Sequence, residues 1–155
     1  MSMTVLLVCT GNTCRSVMGQ GILQELLKEM GEEGSFQVLS AGVAASLGGE
    51  ASEEAVLVLE ERGIELGRHR SRPVTEDLLS SADLILTMTG SQRDIIQRLY
   101  PRAKGKTFSL KEYVKEAGDI EDPIGMPVAV YRRTAKQLER LLLKAAKKIL
   151  KDMED

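Results

Sequence analysis

Hydrophobic and polar positions along this chain follow two alternating patterns. Short apolar runs rich in β-branched residues, typical of buried strands, cover residues 4–8, 36–40 and 84–88 and, with a weaker pattern, 106–109. Segments with helical spacing lie between them. Strands that alternate with helices favour right-handed crossovers and a parallel sheet covered on both faces. We therefore predict an α/β fold, with three layers (αβα) around a four-stranded parallel sheet.

Several helices have predictable ends. After residue 16 the apolar positions recur at spacing four and predict an amphipathic helix that ends near Gly31. Ser52 is an expected N-cap, and Gly63 is expected to end the helix that Ser52 begins. Thr75 and Ser91 are predicted as further caps, with Pro101 closing the helix after Ser91. The last helix is predicted to bury one face, formed by Tyr131, Ala135, Leu138, Leu142, Ala145 and Ile149.

The segment after the first predicted strand carries most of the chemical information. It reads Cys9-Thr10-Gly11-Asn12-Thr13-Cys14-Arg15-Ser16 and leads directly into the first predicted helix. In parallel sheets, ligands bind outside the carboxyl ends of the strands, near a topological switch point. A thiol, a row of backbone N–H groups, a helix N-terminus and a guanidinium are thus expected around a space the size of a phosphate.

Each residue type in this loop suits phosphate chemistry. Arg15 offers a planar, permanently charged fork for two oxygens. The same surroundings favour the thiolate of Cys9, which would be a nucleophile aimed at phosphorus. Gly11 is expected to adopt a backbone conformation closed to other residues, and Asn12 to tolerate left-handed geometry while its amide ties the loop. Ser16 is expected to cap the helix and to point its hydroxyl at the sulfur.

Other interpretations of the loop are weaker. A single cysteine at a strand end is usually a small buried hydrophobe, and a single arginine is usually a surface residue. The Cys-x5-Arg-Ser spacing between a strand and a helix argues against both. A glycine-rich nucleotide loop is excluded, because its Lys-Ser/Thr pair is absent.

Length, charge and cysteine content narrow the class of protein. The 155 residues suffice for one domain, and the net charge of −2 gives no basic footprint for nucleic acid. No apolar run reaches the length of a membrane span, and the N-terminus lacks the features of a signal peptide. Two cysteines five positions apart are not a disulfide framework. We expect a cytoplasmic monomer that binds neither nucleic acid nor membranes.

Phosphoryl transfer to a thiolate needs a general acid that protonates the leaving group. One carboxylic acid can first give a proton to the leaving group and later take one from water. Asp122, stiffened by the adjacent Pro123, is the candidate. Spacing alone leaves Asp119 and Glu121 as rivals, and a solvated acidic turn as the alternative to all three.

The loop resembles the signature of the low-molecular-weight protein-tyrosine phosphatase family. Further matches follow along the chain: Ser40-Ala41-Gly42, Ser81-Ala82-Asp83, Met88 and Asp122-Pro123. The resemblance implies one phosphatase domain over residues 1–155, with Cys9 as nucleophile, Arg15 as phosphate clamp, Asp122 as general acid, and Asn12 and Ser16 as supports of the loop and the thiolate. The implied phosphate-binding residues are Thr10, Gly11, Asn12, Thr13, Cys14, Arg15 and Ser16. Val17 departs from the proline of many members, which concerns the helix start.

Two further residues near the loop have alternative roles. His69 is the single histidine; a histidine among arginines is usually a surface residue, whereas the family resemblance implies that it supports the phosphate loop through Asn12. Cys14 is either a space-filler or the partner of Cys9 in a reversible disulfide that shields the nucleophile from overoxidation. One histidine and two loop cysteines make no plausible metal site, and the reaction requires no metal or organic cofactor.

The substrate side chain is the more open question. Tyrosine-specific members place aromatic residues after the Asp-Pro pair, whereas this chain has Ile124-Gly125-Met126 there and only three Tyr, two Phe and no Trp in all. The threonine at position 13 resembles the one that the bacterial protein-arginine phosphatases have in this loop. Tyrosine phosphatases commonly carry an aliphatic residue at the same position. Thr13 could also be a plain β-branched loop residue. The segments 110–114 and 131–134 also resemble the arginine phosphatase subgroup.

The sequence therefore predicts a cysteine-dependent protein phosphatase that hydrolyses phosphoarginine through a thiophosphate intermediate, with phosphorylated proteins as substrates and inorganic phosphate as product. A low-molecular-weight protein-tyrosine phosphatase is the alternative. An arsenate reductase-type thiol enzyme would need further cysteines for its disulfide relay. A non-catalytic phosphate-binding module would tolerate loss of Cys9 or Asp122, and both are present.

Overall fold

A computed structural model describes residues 2–66 and 68–154. Its sheet has four parallel strands in the order β2-β1-β3-β4. The strands are β1 (Met3–Cys9), β2 (Phe36–Gly42), β3 (Leu84–Thr87) and β4 (Thr107–Ser109). The four predicted runs are thus confirmed as strands, with β1 and β2 longer and β3 and β4 one residue shorter than the pattern indicated.

Six α-helices connect and cover these strands. They are α1 (Arg15–Glu29), α2 (Glu53–Glu61), α3 (Glu76–Ser81), α4 (Gly90–Leu99), α5 (Leu110–Tyr113) and α6 (Val128–Glu154). Two short 3-10 helices, Glu33–Ser35 and Pro101–Lys106, complete the connections. The sequence pattern predicts neither α5 nor the two 3-10 helices, because these short segments show no helical period and no cap was assigned to them. Among the described residues, no helix is long and apolar enough to cross a membrane.

The side chains of the central strands alternate between two apolar clusters. Val5 and Leu7 of β1 face a large core formed with α1, α2, α5 and α6, while Leu6 and Val8 face a smaller core formed with α3 and α4. All four are fully buried. This is the expected pattern for a parallel strand covered on both sides, and it confirms the predicted three layers.

Among the three caps predicted for the helices beyond α1, two agree with the sequence pattern. The side chains of Ser52 and Thr75 accept hydrogen bonds from the backbone of their own helices, as predicted. The prediction for Ser91 is wrong. Thr89 caps α4 instead, because its hydroxyl accepts from the backbone of Gln92 while the Gln92 side chain accepts from the backbone of Thr89. This reciprocal pair is a capping box, which places the helix start two residues earlier.

Strand order places the loop of residues 10–14 at the topological switch point of the sheet. The chain leaves β1 to form β2 on one side and then crosses to β3 on the other side of β1. Crossovers that diverge in this way leave a crevice at the carboxyl end of β1. Residues 10–14 lie there, between the end of β1 and the start of α1.

Helix α2 offers a matched test of how the larger core contributes to stability. Leu59 is fully buried, whereas Leu57, on the same helix, is 45% exposed. We expect Leu59→Ala to lower the free energy of unfolding by about 2–5 kcal/mol, since it leaves a cavity. Leu57→Ala, with the same change of side chain, should cost far less. Urea unfolding of both variants measures the difference, and equal losses would contradict this account of the core.

Candidate active site

The sulfur of Cys9 lies in a small hydrogen-bonded network. Its Sγ is 2.9 Å from Ser16 Oγ and accepts a hydrogen bond from the backbone N–H of Asn12 at 3.2 Å. Asn12 Nδ2 donates to Ser16 Oγ at 2.8 Å, which leaves the Ser16 hydroxyl proton available for donation to the sulfur. A backbone N–H and a hydroxyl thus lie within hydrogen-bond distance of one buried sulfur.

Asn12 holds the loop to a distant segment. Its Oδ1 accepts from the backbone N–H of Arg72 at 3.0 Å, which completes the hydrogen bonding of its carboxamide on both sides. The residue is fully buried and has a φ of 56°, in the left-handed region that asparagine tolerates. The left-handed geometry of Asn12 and the tying of the loop by its amide were both predicted, and the structure has both.

Two expectations about the loop backbone are wrong. Gly11 does not have a positive φ, and a Cβ added there would meet only the Thr13 hydroxyl at an ordinary 3.7 Å. The glycine that the loop requires is Gly42, where a Cβ would lie 2.4 Å from the Thr10 carbonyl oxygen. Ser16 does not cap α1, because the helix already begins at Arg15. The Ser16 hydroxyl instead contacts Cys9 and Asn12.

The start of α1 presents unsatisfied donors. The N-cap, Cys14, makes no side-chain cap hydrogen bond. Within residues 2–66 and 68–154, no protein acceptor is recorded for the backbone N–H groups of Gly11, Thr13, Cys14, Arg15 and Ser16. Together with the positive end of the helix dipole, such groups suit an anion. This is the arrangement expected for phosphate.

Arg15 connects this loop with the acidic segment 119–123. Its guanidinium is buried; Nη1 donates to the Ile120 carbonyl oxygen at 2.8 Å, and Nη2 lies 3.5 Å from Asp122 Oδ2. The Asp122 side chain is 44% exposed. The nucleophile loop and the candidate acid are thus brought together around one arginine.

The structure also distinguishes Asp122 from the two other candidate acids, Asp119 and Glu121. Asp119 accepts a hydrogen bond from the backbone N–H of Gly90 at 2.8 Å, and Glu121 pairs with Arg133 at 3.1 Å. Of the three acidic residues, Asp122 is the one in contact with Arg15. Its geometry therefore favours it as the acid.

Thr10, Thr13 and Cys14 have different surroundings. The Thr10 hydroxyl accepts from Gln92 Nε2 at 3.0 Å, so it is tied to α4. The hydroxyl of Thr13, a half-buried residue, lies 3.7 Å from Cys14 Sγ. Cys14 Sγ is itself 3.5 Å from both Ser52 Oγ and the Tyr131 hydroxyl.

Both cysteines are buried, free thiols with separate partners. Burial, with the contact to Cys14 adding to it, raises the pKa of Tyr131 to about 12. The Tyr131 hydroxyl therefore stays protonated beside Cys14. A disulfide between Cys9 and Cys14 stays a prediction.

Gln92 is the supporting residue that the sequence analysis missed. Its Oε1 accepts from the backbone N–H groups of Met88 and Thr89, both at 3.0 Å, and its Nε2 donates to Thr10. The side chain is almost completely buried. The signal was present in the sequence, since Thr89-Gly90-Ser91-Gln92 fits the capping-box pattern.

His69 lies against the loop as the resemblance implied. Its Nε2 donates to the Asn12 carbonyl oxygen at 2.8 Å, so the contact is to the backbone rather than to the amide side chain. Burial lowers the pKa of His69; the hydrogen bond to Asn12 acts against this, and Arg72 and Arg70 lower it further. His69 is therefore neutral at neutral pH, with its proton on Nε2.

Comparison with known proteins agrees with this geometry. The model of the family described as low molecular weight phosphotyrosine protein phosphatase matches residues 4–155. A protein-arginine-phosphatase of Bacillus subtilis (strain 168) is 43% identical over 151 residues, which cover 97% of this chain and 99% of the relative.

Two solved structures share both fold and sequence. An arginine phosphatase, YwlE, solved as a mutant with a phosphorylated active site serine, has a TM-score of 0.92 at 42% identity and covers 97% of each chain. A low molecular weight protein tyrosine phosphatase from T. tengcongensis has a TM-score of 0.90 at 45% identity, and the match covers 95% of this chain and 99% of the other. These two structures carry different substrate names at close values of identity and TM-score.

The lowered pKa of His69 predicts a pH dependence of stability. Because the unfolded chain takes up the proton first, stability should fall as the pH drops below the ordinary value of 6.5 towards the lowered folded value. His69→Gln, which keeps an N–H donor but does not titrate, should show a flatter dependence between about pH 7 and 5.5. Urea unfolding at a series of pH values measures both slopes. Parallel slopes would contradict the assignment.

Proposed function

The chain belongs to the low molecular weight phosphotyrosine protein phosphatase family, and from this premise we propose that it is a cysteine-dependent protein phosphatase that hydrolyses phosphoarginine. The observation that carries the reaction type is the cluster of Cys9, Arg15 and Asp122 at the start of α1. A buried sulfur with two hydrogen-bond donors, free N–H groups and a guanidinium in contact with a carboxylate are the parts that phosphoryl transfer to sulfur needs.

In the first step the Cys9 thiolate attacks phosphorus in line with the bond to the leaving group. An S–P bond forms and the P–N bond to the guanidine nitrogen breaks. Asp122 gives its proton to that nitrogen, so the guanidine leaves without developing negative charge. Arg15 and the loop N–H groups hold the equatorial oxygens, where charge is carried in the transition state.

In the second step a water molecule attacks the phosphorus of the thiophosphate. Asp122, now ionised, takes a proton from this water as its oxygen bonds to phosphorus. The S–P bond breaks, inorganic phosphate leaves and the Cys9 thiolate is restored. Ser16 and the Asn12 N–H group stabilise the sulfur as it becomes a leaving group, through the hydrogen bonds that they already make.

The proposal of phosphoarginine as substrate rests on Thr13 and on residues 124–126, which follow the Asp122-Pro123 pair. Thr13 is half-buried in the loop, where a hydroxyl can orient a guanidinium and a larger aliphatic group would crowd it. The residues after the Asp-Pro pair offer no aromatic wall, since they are Ile124, Gly125 and Met126; Ile124 is 62% and Met126 44% exposed. The protein-arginine-phosphatase relative supports the same substrate.

Phosphotyrosine is the second candidate. The structure from T. tengcongensis, at 45% identity, carries the name of a tyrosine phosphatase. Both substrates require the same nucleophile, clamp and acid. The distinction therefore depends on the residues around the leaving group.

Replacement of the nucleophile tests the reaction type. We expect Cys9→Ser to reduce hydrolysis of an aryl phosphate to background, because a serine hydroxyl is not ionised near neutral pH. Phosphate binding, measured by titration calorimetry, should be retained in part since the loop N–H groups and Arg15 remain. Cys14→Ser makes the same atom change five residues away and should keep measurable turnover. Full activity in Cys9→Ser would refute the mechanism.

Replacement of Thr13 tests the substrate. The wild-type chain should hydrolyse a phosphoarginine peptide with higher kcat/KM than a matched phosphotyrosine peptide. Thr13→Ile should move this ratio towards phosphotyrosine by about 10- to 100-fold, the range that one side-chain contact provides. Thr13→Ser, which keeps the hydroxyl, should retain the preference. A wild-type preference for phosphotyrosine would establish the second candidate, and an unchanged ratio in Thr13→Ile would remove Thr13 as the selecting residue.

A further inference from the structure

Asp119 lies three residues before the proposed acid, and its carboxylate binds the first turn of α4. Its Oδ1 accepts a hydrogen bond from the backbone N–H of Gly90, the first residue of that helix, at 2.8 Å. The first N–H groups of a helix have no acceptor within the helix, and its positive end favours a negative charge. Asp119 thus satisfies one of these donors from a segment 29 residues away.

The next residue, Ile120, continues the attachment. Its N–H donates to the Met88 carbonyl oxygen at 3.0 Å, and its own carbonyl oxygen accepts from Arg15 at 2.8 Å. Ile120 is almost fully buried. Two consecutive residues therefore bind the end of β3, the start of α4 and the arginine of the phosphate loop.

The same turn of α4 also holds the nucleophile loop. Gln92, at the third position of the helix, donates to the hydroxyl of Thr10, which directly follows Cys9. The first turn of α4 is thus attached to the nucleophile loop through Gln92 and to the acidic segment through Asp119.

The Asp122 side chain makes few contacts that fix its position. Its side chain is 44% exposed; Oδ1 accepts from the backbone N–H of Ile124, within its own turn, and Oδ2 lies 3.5 Å from Arg15. The position of this carboxyl group therefore depends on where the chain before it is attached.

We propose that Asp119 is a positioning residue, which holds Asp122 over the leaving group by fixing segment 119–123 to the start of α4. The proposal rests on the function proposed above. A group that has to reach the leaving atom loses effect when it shifts by about 1 Å, which costs up to about 100-fold in rate. Loss of the Asp119 contact should therefore weaken proton donation while the phosphate loop stays intact.

Proton donation can be separated from phosphate binding by the choice of leaving group. Aryl phosphates with acidic phenols need little help from an acid, whereas those with basic phenols depend on it. We would measure kcat/KM, which covers the steps up to departure of the phenol, for a series of such esters. Asp119→Ala should show a small loss with nitrophenyl phosphate and a much larger loss, approaching 100-fold, with phenyl phosphate. Asp122→Asn, which lacks the acid, gives the limiting dependence.

Glu121→Ala is the matched control, because it removes a carboxylate from the same segment without touching α4. Glu121 pairs with Arg133, so this variant should follow the wild-type dependence on the leaving group. Asp119→Asn keeps an oxygen that can accept from Gly90, and it should lie between wild type and Asp119→Ala. If thermal unfolding shows that Asp119→Ala does not fold, Asp119→Asn replaces it in the comparison.

The outcomes are distinguishable. A steeper dependence on the leaving group in the Asp119 variants, absent from Glu121→Ala, supports the positioning role. A uniform loss across the series, or the same change in Glu121→Ala, would overturn it. If the wild-type chain hydrolyses neither these esters nor a phosphoarginine peptide, the proposed phosphatase function itself fails.

Discussion

The site depends first on the burial of Asn12 in a left-handed conformation. A positive φ is costly for most side chains, and asparagine is among the few that adopt it readily. Here the conformation brings the Asn12 N–H to the Cys9 sulfur and leaves the carboxamide between Ser16 and the backbone of Arg72. The Asn12 carbonyl oxygen is in turn bound by neutral His69. Every polar group of this residue thus has a partner, which is how a buried carboxamide avoids the cost of desolvation.

The loop is held from the other side by close approach of two strand ends. Gly42, at the end of β2, lies so near the Thr10 carbonyl oxygen that a Cβ would overlap it. The Val43 and Ala44 N–H groups donate to the Cys9 and Thr10 carbonyl oxygens. These contacts turn the carbonyl groups of the loop towards β2, whereas N–H groups further along the loop stay without protein acceptors. The sheet edge thereby leaves the loop with donors, which suits an anion.

The parts of the fold and of the site that the sequence predicts are those that depend on residues close together in the chain. β1, the caps at Ser52 and Thr75, and the buried face of α6 each depend on residues close in sequence, and their predictions agree with the structure. Gly11 and Ser91 were assigned from residue type alone and were wrong. The need for glycine at position 42 arises from a contact with residue 10, and a sequence pattern does not reveal such a distance. For the same reason spacing could not separate Asp122 from Asp119, because the difference lies in their contacts with Arg15 and Gly90.

The buried and exposed parts of the site follow different constraints. Asn12, Arg15 and Ser16 are buried and hydrogen-bonded, so replacing one of them leaves its partners unsatisfied and disturbs the others. Ile124 and Met126, which follow the Asp122-Pro123 pair, are exposed, so a change of side chain there costs little stability. Thr13 lies between these two classes, half-buried in the loop. In the proposed function, the choice of leaving group therefore falls to Thr13 and these exposed residues, while the buried residues carry the phosphate chemistry. An arginine phosphatase at 43% identity and a tyrosine phosphatase at 45% identity differ in the same way, in the name of the substrate and not in the family.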